Sequence, residues 1–377
     1  MKTVLILCFS DLGRDPRVYR QIKVLSEHYR VITAGYGDPR LDSIDFIPIT
    51  RMKKDLPSMV SALRLLFHRY EAWYWSQRHV VDGLKKLSQI RADLILANDI
   101  SALPLALKLA KGAKVILDAH EYAPRQVEDV LLWRIFFQKY QSYLCEIYIP
   151  HVDGMTTVCQ GIADTYQEDT GIKPIVITSA SDFEDIAPRP AQGNGEVIHL
   201  VHHGAASPSR KIENMIKMMD YLDERFELDF LLVESSPGYL EHLKRLARKK
   251  SKIHFLNPVP MPDLSRFLNQ YDIGVYLLEP VNFNYLHSLP NKFFEFIQAR
   301  LAVAIGPSPE MARLVREHDL GVVAGDFSPR ALAQCLLGLD VKKIEYYKSQ
   351  SHKVAHLLSA EQNKKILLDL VERVLAR

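Results

Sequence analysis

Twice along the chain, short runs of apolar and β-branched residues alternate with longer stretches whose apolar residues recur at helical spacing. That alternation marks β-α-β units, whose parallel strands are buried on both faces and so read as continuous apolar runs. The first set of predicted strands is Val4–Cys8, Val31–Ala34, Ile44–Ile49, Leu94–Ala97, Val115–Leu117, Met155–Val158 and Ile175–Thr178. The second is Val197–Val201, Phe230–Val233, His254–Leu256, Ile273–Leu277, Ala302–Ile305 and Val322–Ala324. Between the sets lies Ala187-Pro-Arg-Pro-Ala-Gln-Gly-Asn-Gly195, whose prolines and glycines resist both helix and strand. A chain of 377 residues is too long for one compact core and suits two. The expectation is an α/β protein of two Rossmann-like, doubly wound domains facing a cleft. Their expected limits are 1–186 and 197–341, with a linker over 187–196 and a helical tail over 342–377 packing back across the lobes.

Charge and cysteine content narrow the chemistry. The 48 basic side chains nearly balance the 45 acidic ones, which leaves no electrostatic footprint for duplex nucleic acid. Cys8, Cys145, Cys159 and Cys335 form no C-x-x-C pair, arguing against a zinc site or a disulfide framework and for a reducing, cytoplasmic setting. The apolar run Thr3–Phe9 meets Ser10-Asp11 without a small-residue cleavage site and reads as a buried first strand. No stretch reaches the roughly 18 apolar residues a spanning helix needs. Over 51–91, however, Lys53, Lys54, Arg64, Arg69, Arg78, Lys85 and Lys86 alternate with Leu65, Leu66, Phe67, Trp73, Tyr74 and Trp75. Such a stretch is either ordinary core with a basic rim or a peripheral contact with the anionic inner face of a membrane, where a lipid-linked substrate would be met.

Four motifs sit where strands give way to helices, the place where α/β sheets hold ligands. His202-His203-Gly204-Ala-Ala-Ser-Pro-Ser-Arg210-Lys211 follows a predicted strand, and its small residues would expose backbone N–H groups beside two cations. Leu289-Pro290-Asn291-Lys292-Phe-Phe-Glu295 opens a helix with Pro290 in its first turn, so Asn291 and Lys292 stand at a positive helix end. Lys292 and Glu295, three apart, share a face, either as a surface ion pair or as a cation for phosphates beside a carboxylate for a ribose diol. In the first half, Asp118-Ala-His120-Glu121 ends a buried strand, and Gly13 in Ser10-Asp-Leu-Gly-Arg-Asp15-Pro-Arg17 would let backbone approach a ligand, with Asp15 or Arg17 capping and bracing the next helix. No D-x-D, G-x-S-x-G, H-E-x-x-H or Walker pattern occurs, so no metal is expected and charge neutralisation falls to Arg, Lys and helix ends.

Taken together, these motifs resemble the GT-B glycosyltransferases, specifically the family 4-like, retaining branch that builds bacterial surface glycans. The resemblance spans nearly the whole chain and is most specific at Leu289–Glu295. It implies that Glu295 binds the nucleotide ribose, that Asn291 and Lys292 lie by the diphosphate, and that Arg210, helped by Lys211, neutralises the leaving group. His120 and Gly13 would face the transferred sugar and the acceptor, and Leu256-Asn-Pro258-Val259 would wall the base pocket. Gly204, Leu289 and Pro290 complete the implied donor site, with His120, Arg210 and Lys292 as the catalytic set. The implied activity is sugar transfer from a nucleotide diphosphate sugar to a hydroxyl of a glycan or lipid-linked glycan, without cofactor. Two positions depart from the family: His287 stands where relatives carry a second glutamate, and Ala205 where they carry arginine. The alternatives are a non-catalytic nucleotide- or glycan-binding partner and an epimerase or hydrolase on the same fold.

Overall fold

The structure, a computed structural model, describes residues 1–42, 44–52, 59–191 and 197–377. Lys53, Lys54 and the 192–196 half of the expected linker lie outside the described residues. The chain forms two compact units. One comprises Met1–Thr178, Asn282–Asn284 and Lys364–Arg377; the other comprises Ser179–Val281 and Tyr285–Asn363.

The first unit is built on seven strands: β1 Thr3–Cys8, β2 Arg30–Gly35, β3 Asp45–Pro48, β4 Leu94–Asn98, β5 Lys114–Ala119, β6 Gly154–Thr157 and β7 Ile175–Val176. They pair in parallel in the order β3-β2-β1-β4-β5-β6-β7. The second unit has β8 Ile198–Ala206, β9 Phe226–Glu234, β10 Ile253–Leu256, β11 Ile273–Tyr276, β12 Ala302–Ile305 and β13 Gly321–Val323. Its parallel order, β10-β9-β8-β11-β12-β13, repeats the first. Both orders reverse direction next to their first strand, at β1/β4 and at β8/β11. At such a switch point the loops beyond the strand ends splay apart and leave a crevice.

The α/β, doubly wound class read from the sequence is what forms, and the central strands are the ones that were easiest to see. Val4 to Cys8 and Leu94 to Ala97 are buried without a break, as strands covered by helices on both faces must be. Asp15 caps the helix Pro16–Ser26 by accepting from the Val18 N–H at 3.3 Å, with Pro16 pre-set for the first helical position. The tail divides into two helices. Val341–Val354 is tied to the second unit through Lys348 Nζ, which donates to the Tyr271 carbonyl at 2.7 Å, and Ser351 Oγ, which donates to that of Leu301 at 2.7 Å. From Ala360–Leu375, Leu367, Leu370, Val371 and Val374 join the first unit's core with Val4, Ile6 and Leu94.

The helix Asn291–Gln298 is buried at every position from Lys292 to Gln298. It lies directly on β11, where a Cβ on Gly274 would come within 2.3 Å of the Phe296 ring. Only glycine permits that approach. Burial of Phe293, Phe294 and Phe296 at roughly 1.5–3 kcal/mol each fixes the helix against the sheet.

Candidate functional site

At the β8/β11 switch point the second unit gathers two cations and two histidines. The last residues of β8 supply His202, His203 and Gly204, β11 supplies Tyr276, and the helix Asn291–Gln298 supplies Lys292 and Glu295. Pro290 is the helix cap, one residue earlier than its expected place in the first turn, and no side chain caps the helix end. Asn291 and Lys292 therefore occupy the first two helical positions, whose N–H groups have no partner within the helix. Lys292 is only 5% exposed and Glu295 only 4%, so the surface ion pair allowed by their spacing is not what forms. Lys292 Nζ points to His202 Nε2 at 3.2 Å and sits 4.5 Å from the centre of the Tyr276 ring. Glu295 Oε2 instead lies 3.4 Å from His203 Nε2.

His202 makes this arrangement specific. Its Nδ1 is 2.8 Å from the Val275 carbonyl, which can only accept, so Nδ1 carries the proton and Nε2 offers a lone pair to Lys292. Burial first, then the Lys292 charge, hold the His202 imidazole well below its ordinary pKa. Burial, then Lys292 and Arg210, bring His203 down to about 3. Both histidines are neutral at physiological pH. Lys292 is itself pushed well below the ordinary lysine value by burial and then by Arg210, with Glu295 opposing.

Gly204 explains how two like charges come together. Its φ of +114° belongs to the region that favours glycine, and a Cβ there would lie 3.2 Å from Lys292 Nζ and 3.7 Å from Arg210 Nη1. The two cations thus converge over bare backbone. Arg210 ends a short turn, Pro208–Arg210, whose Ser209 hydroxyl bonds that of Tyr285 at 2.9 Å. Two buried or half-buried cations repelling each other in a crevice form an arrangement that an anion completes.

Other expected site residues fall elsewhere. Lys211 turns away to Glu279, which it meets at 2.8 Å, so Lys292 rather than Lys211 is the second cation beside Arg210. Leu289 is buried, while Leu256 and Pro258 stand exposed at the carboxyl end of β10. His287 Nδ1 lies 3.7 Å from Glu310 Oε1, in the first turn of the helix Pro309–Glu317. His202 opens the small-residue motif read from the sequence but carried no role of its own there, and Tyr276 lay unmarked within a predicted strand; their part in the site appears only when the sheet places β11 beside β8.

The first unit holds a second polar cluster, beyond β4 and β5. Asp118 is fully buried and takes both oxygens' worth of Arg17, Nε to Oδ2 at 2.7 Å and Nη2 to Oδ1 at 2.6 Å. Gln21 Nε2 donates to Oδ2 and Thr156 Oγ1 to Oδ1. Burial works against the charge, but Arg17 and then His120 hold Asp118 well below the ordinary carboxylate range. Arg17 therefore braces β5 across the sheet instead of its own helix. His120 Nε2 sits 3.0 Å from Asn98 Oδ1 and 3.3 Å from Asp118 Oδ2, and its Nδ1 3.5 Å from Asp99 Oδ2. Burial, the largest influence, would lower its pKa, but Asp99 and then Asp118 outweigh it and raise it to about 9. His120 is an imidazolium at neutral pH, a donor and not a base. Gly13 lies in the loop after β1, its Cα hydrogen facing the Asp38 carbonyl, beside Asp11 and Gly37 at a hollow of about 340 Å³.

No family model and no curated protein matches the sequence. Solved structures do match over the full chain. Sucrose-phosphate synthase from Thermosynechococcus elongatus superposes with a TM-score of 0.75 at 12% identity, covering 100% of both chains. Anabaena HepE, solved with UDP and glucose, gives 0.68 at 13% identity over 99% of this chain and 100% of that one. An Escherichia coli trehalose-6-phosphate structure bound with UDP-2-fluoro glucose gives 0.70 at 12% identity over 98% of each. With two doubly wound parallel sheets that share the order of six strands, the first adding a seventh at its edge, and matches of this extent, the chain has the GT-B fold.

Proposed function

We propose that the protein is a glycosyltransferase that takes a sugar from a nucleoside diphosphate sugar and transfers it to a hydroxyl of a glycan or lipid-linked acceptor. The observation that carries this reading is the convergence of Lys292 Nζ and Arg210 on Gly204, beside a free helix end and two neutral histidines. Departure of a nucleoside diphosphate develops negative charge on its phosphates, and fixed cations with helix-end N–H groups stabilise that charge without reorganising. Glu295, one turn along the same helix, is the group for the ribose hydroxyls. Structurally similar proteins were solved with UDP, UDP-glucose or a fluorinated UDP-glucose, which makes a UDP-sugar the first donor to try. His120, protonated, serves as a hydrogen-bond donor to the transferred sugar, and the anomeric configuration is retained.

Metal plays no part in this scheme, because the two side-chain cations meet the diphosphate. The test is nucleoside diphosphate release from a panel of nucleotide sugars, with and without EDTA, by the wild type and by Arg210→Ala and Lys292→Met. Donor-dependent release that survives EDTA and falls in both variants is expected. Binding of nucleotide sugar with no release for any acceptor would instead favour the non-catalytic partner.

A further inference from the structure

The first unit carries an exposed apolar face that the glycosyl-transfer reading does not use. On and just after the helix Met59–Leu66, Leu63 and Leu66 are exposed and Phe67 is 73% exposed. The helical turn Arg134–Gln138 packs against that helix, and it and the residues just before it add Val130, Leu131, Leu132 and Ile135, with Leu131 at 60%. Seven large apolar side chains facing water on two adjoining elements exceed the scattered exposure that a globular surface ordinarily shows. Of the protein's three tryptophans, Trp133 lies within Val130–Ile135, and Trp73 and Trp75 lie in and just after the neighbouring helix Tyr70–Tyr74. Trp73 is edge-on to Phe137 and Tyr140, at 5.9 and 4.6 Å, which ties that helix to the residues following Ile135.

The charge around this face has one dominant sign. Arg64 and Arg134 come from those elements, Arg69 stands just before the helix Tyr70–Tyr74 and Lys139 opens the helix Lys139–Tyr148; Arg69, Arg134 and Lys139 are exposed. The acid among them, Glu71, is turned inward, its carboxylate accepting from Tyr143, Tyr148 and Trp75 at 3.1, 2.6 and 2.7 Å. At the edge of the patch Glu128 is paired with Arg125, and Asp129 accepts from Asn282. Apolar and tryptophan side chains ringed by Lys and Arg match an anionic bilayer surface, whose acyl boundary takes the former and whose headgroups take the latter.

We propose that the face formed by Leu63, Leu66, Phe67 and the 130–135 segment docks the protein on an anionic lipid bilayer. Within the basic and aromatic stretch read from the sequence over 51–91, Leu65 and Tyr74 are core, whereas Leu63, Leu66, Phe67 and Arg69 are one half of a surface whose other half lies some 65 residues further on. Docking does not depend on what the site in the second unit does, so its test needs no activity.

The test is co-sedimentation of the full chain with vesicles of phosphatidylcholine alone or with phosphatidylglycerol added, at low and high salt. Two sets of variants probe it: Phe67→Asp with Leu131→Asp, and Arg69→Glu with Arg134→Glu and Lys139→Glu. All five positions are exposed, and an unchanged melting temperature together with an unchanged circular dichroism spectrum shows that each variant folds. Binding to anionic vesicles only, weakened by salt and lowered at least about tenfold in both sets, is expected. A blue shift of the tryptophan emission on adding anionic vesicles would support it further. Equal partition into neutral and anionic vesicles, or loss in neither set, overturns the proposal. So does a dimer in sedimentation velocity that Phe67→Asp with Leu131→Asp dissolves, since the face would then be covered by a second copy.

Discussion

Replacing Lys292 with methionine should move affinity and stability in opposite directions. In the ligand-free protein the Lys292 amine is buried and faces a neutral histidine at 3.2 Å, and burial and then Arg210 work against its charge, with Glu295 opposing them. Isolated buried charge is unfavourable, and an apolar side chain of similar volume in its place is often neutral or stabilising. In the proposed function, that amine as an ammonium would meet the diphosphate of a bound donor. A unit charge pair about 4 Å apart at an effective dielectric near 20 is worth roughly 4 kcal/mol, and a hydrogen bond to a charged group about 1.5–3 kcal/mol. Taking about 3 kcal/mol, Lys292→Met should weaken UDP binding on the order of 150-fold. Its melting temperature without nucleotide should hold or rise. Isothermal titration with UDP and thermal melts with and without nucleotide read both quantities from one preparation. A fall of several degrees in the ligand-free melt with UDP affinity unchanged would refute the reasoning, because Lys292 would then be a structural cation.

Three further perturbations test the geometry. Gly204→Ala places a methyl in a backbone region that L residues rarely adopt and 3.2 Å from Lys292 Nζ, so it should destabilise by about 1–3 kcal/mol in urea melts and weaken UDP as well. His120, raised from its ordinary 6.5 to about 9, contributes stability that is complete below the unfolded value and is lost as pH rises through about 9. The stability difference between wild type and His120→Gln, measured by denaturant melts, should therefore shrink between about pH 6.5 and pH 9; a constant difference would mean that the histidine is not charged. Asp118→Asn leaves Arg17 buried opposite a neutral amide and should destabilise by about 3–5 kcal/mol in the same melts, with no loss expected if the pair were solvent-screened.

The parallel strands were legible because burial on both faces turns them into apolar runs, and the misread ends show where that signal stops. β8 continues to Ala206, past the expected Val201, because His202 and His203 look polar yet are buried by their hydrogen-bond and charge partners. β9 begins at Phe226 rather than Phe230, since Phe-Glu-Leu-Asp alternates in the manner of a strand with one wetter face. Lys292 and Glu295 were found from helix-end chemistry and a motif, both local properties. Their partners were not. Lys292 and His202 are 90 positions apart, and Arg17 and Asp118 are 101 apart, so each pairing waits on a sheet order that brings β8 beside β11 and β1 beside β4. A polar residue whose partner comes from another strand carries no sequence pattern of its own.

The bare contact at Gly274 also bears on how such a site could change over evolutionary time. The helix that carries Lys292 and Glu295 rests on backbone, with no side chain between that could be shortened or lengthened to shift it. Its distance from β8 is set by the sheet and has no adjustable part. On the proposed reading, a descendant of this chain that took a different nucleotide would be altered elsewhere, in the loops beyond β9 and β10 where Leu256 and Pro258 stand exposed. The helix against the sheet would be the inherited constant, and the rim the place where variation is free to accumulate.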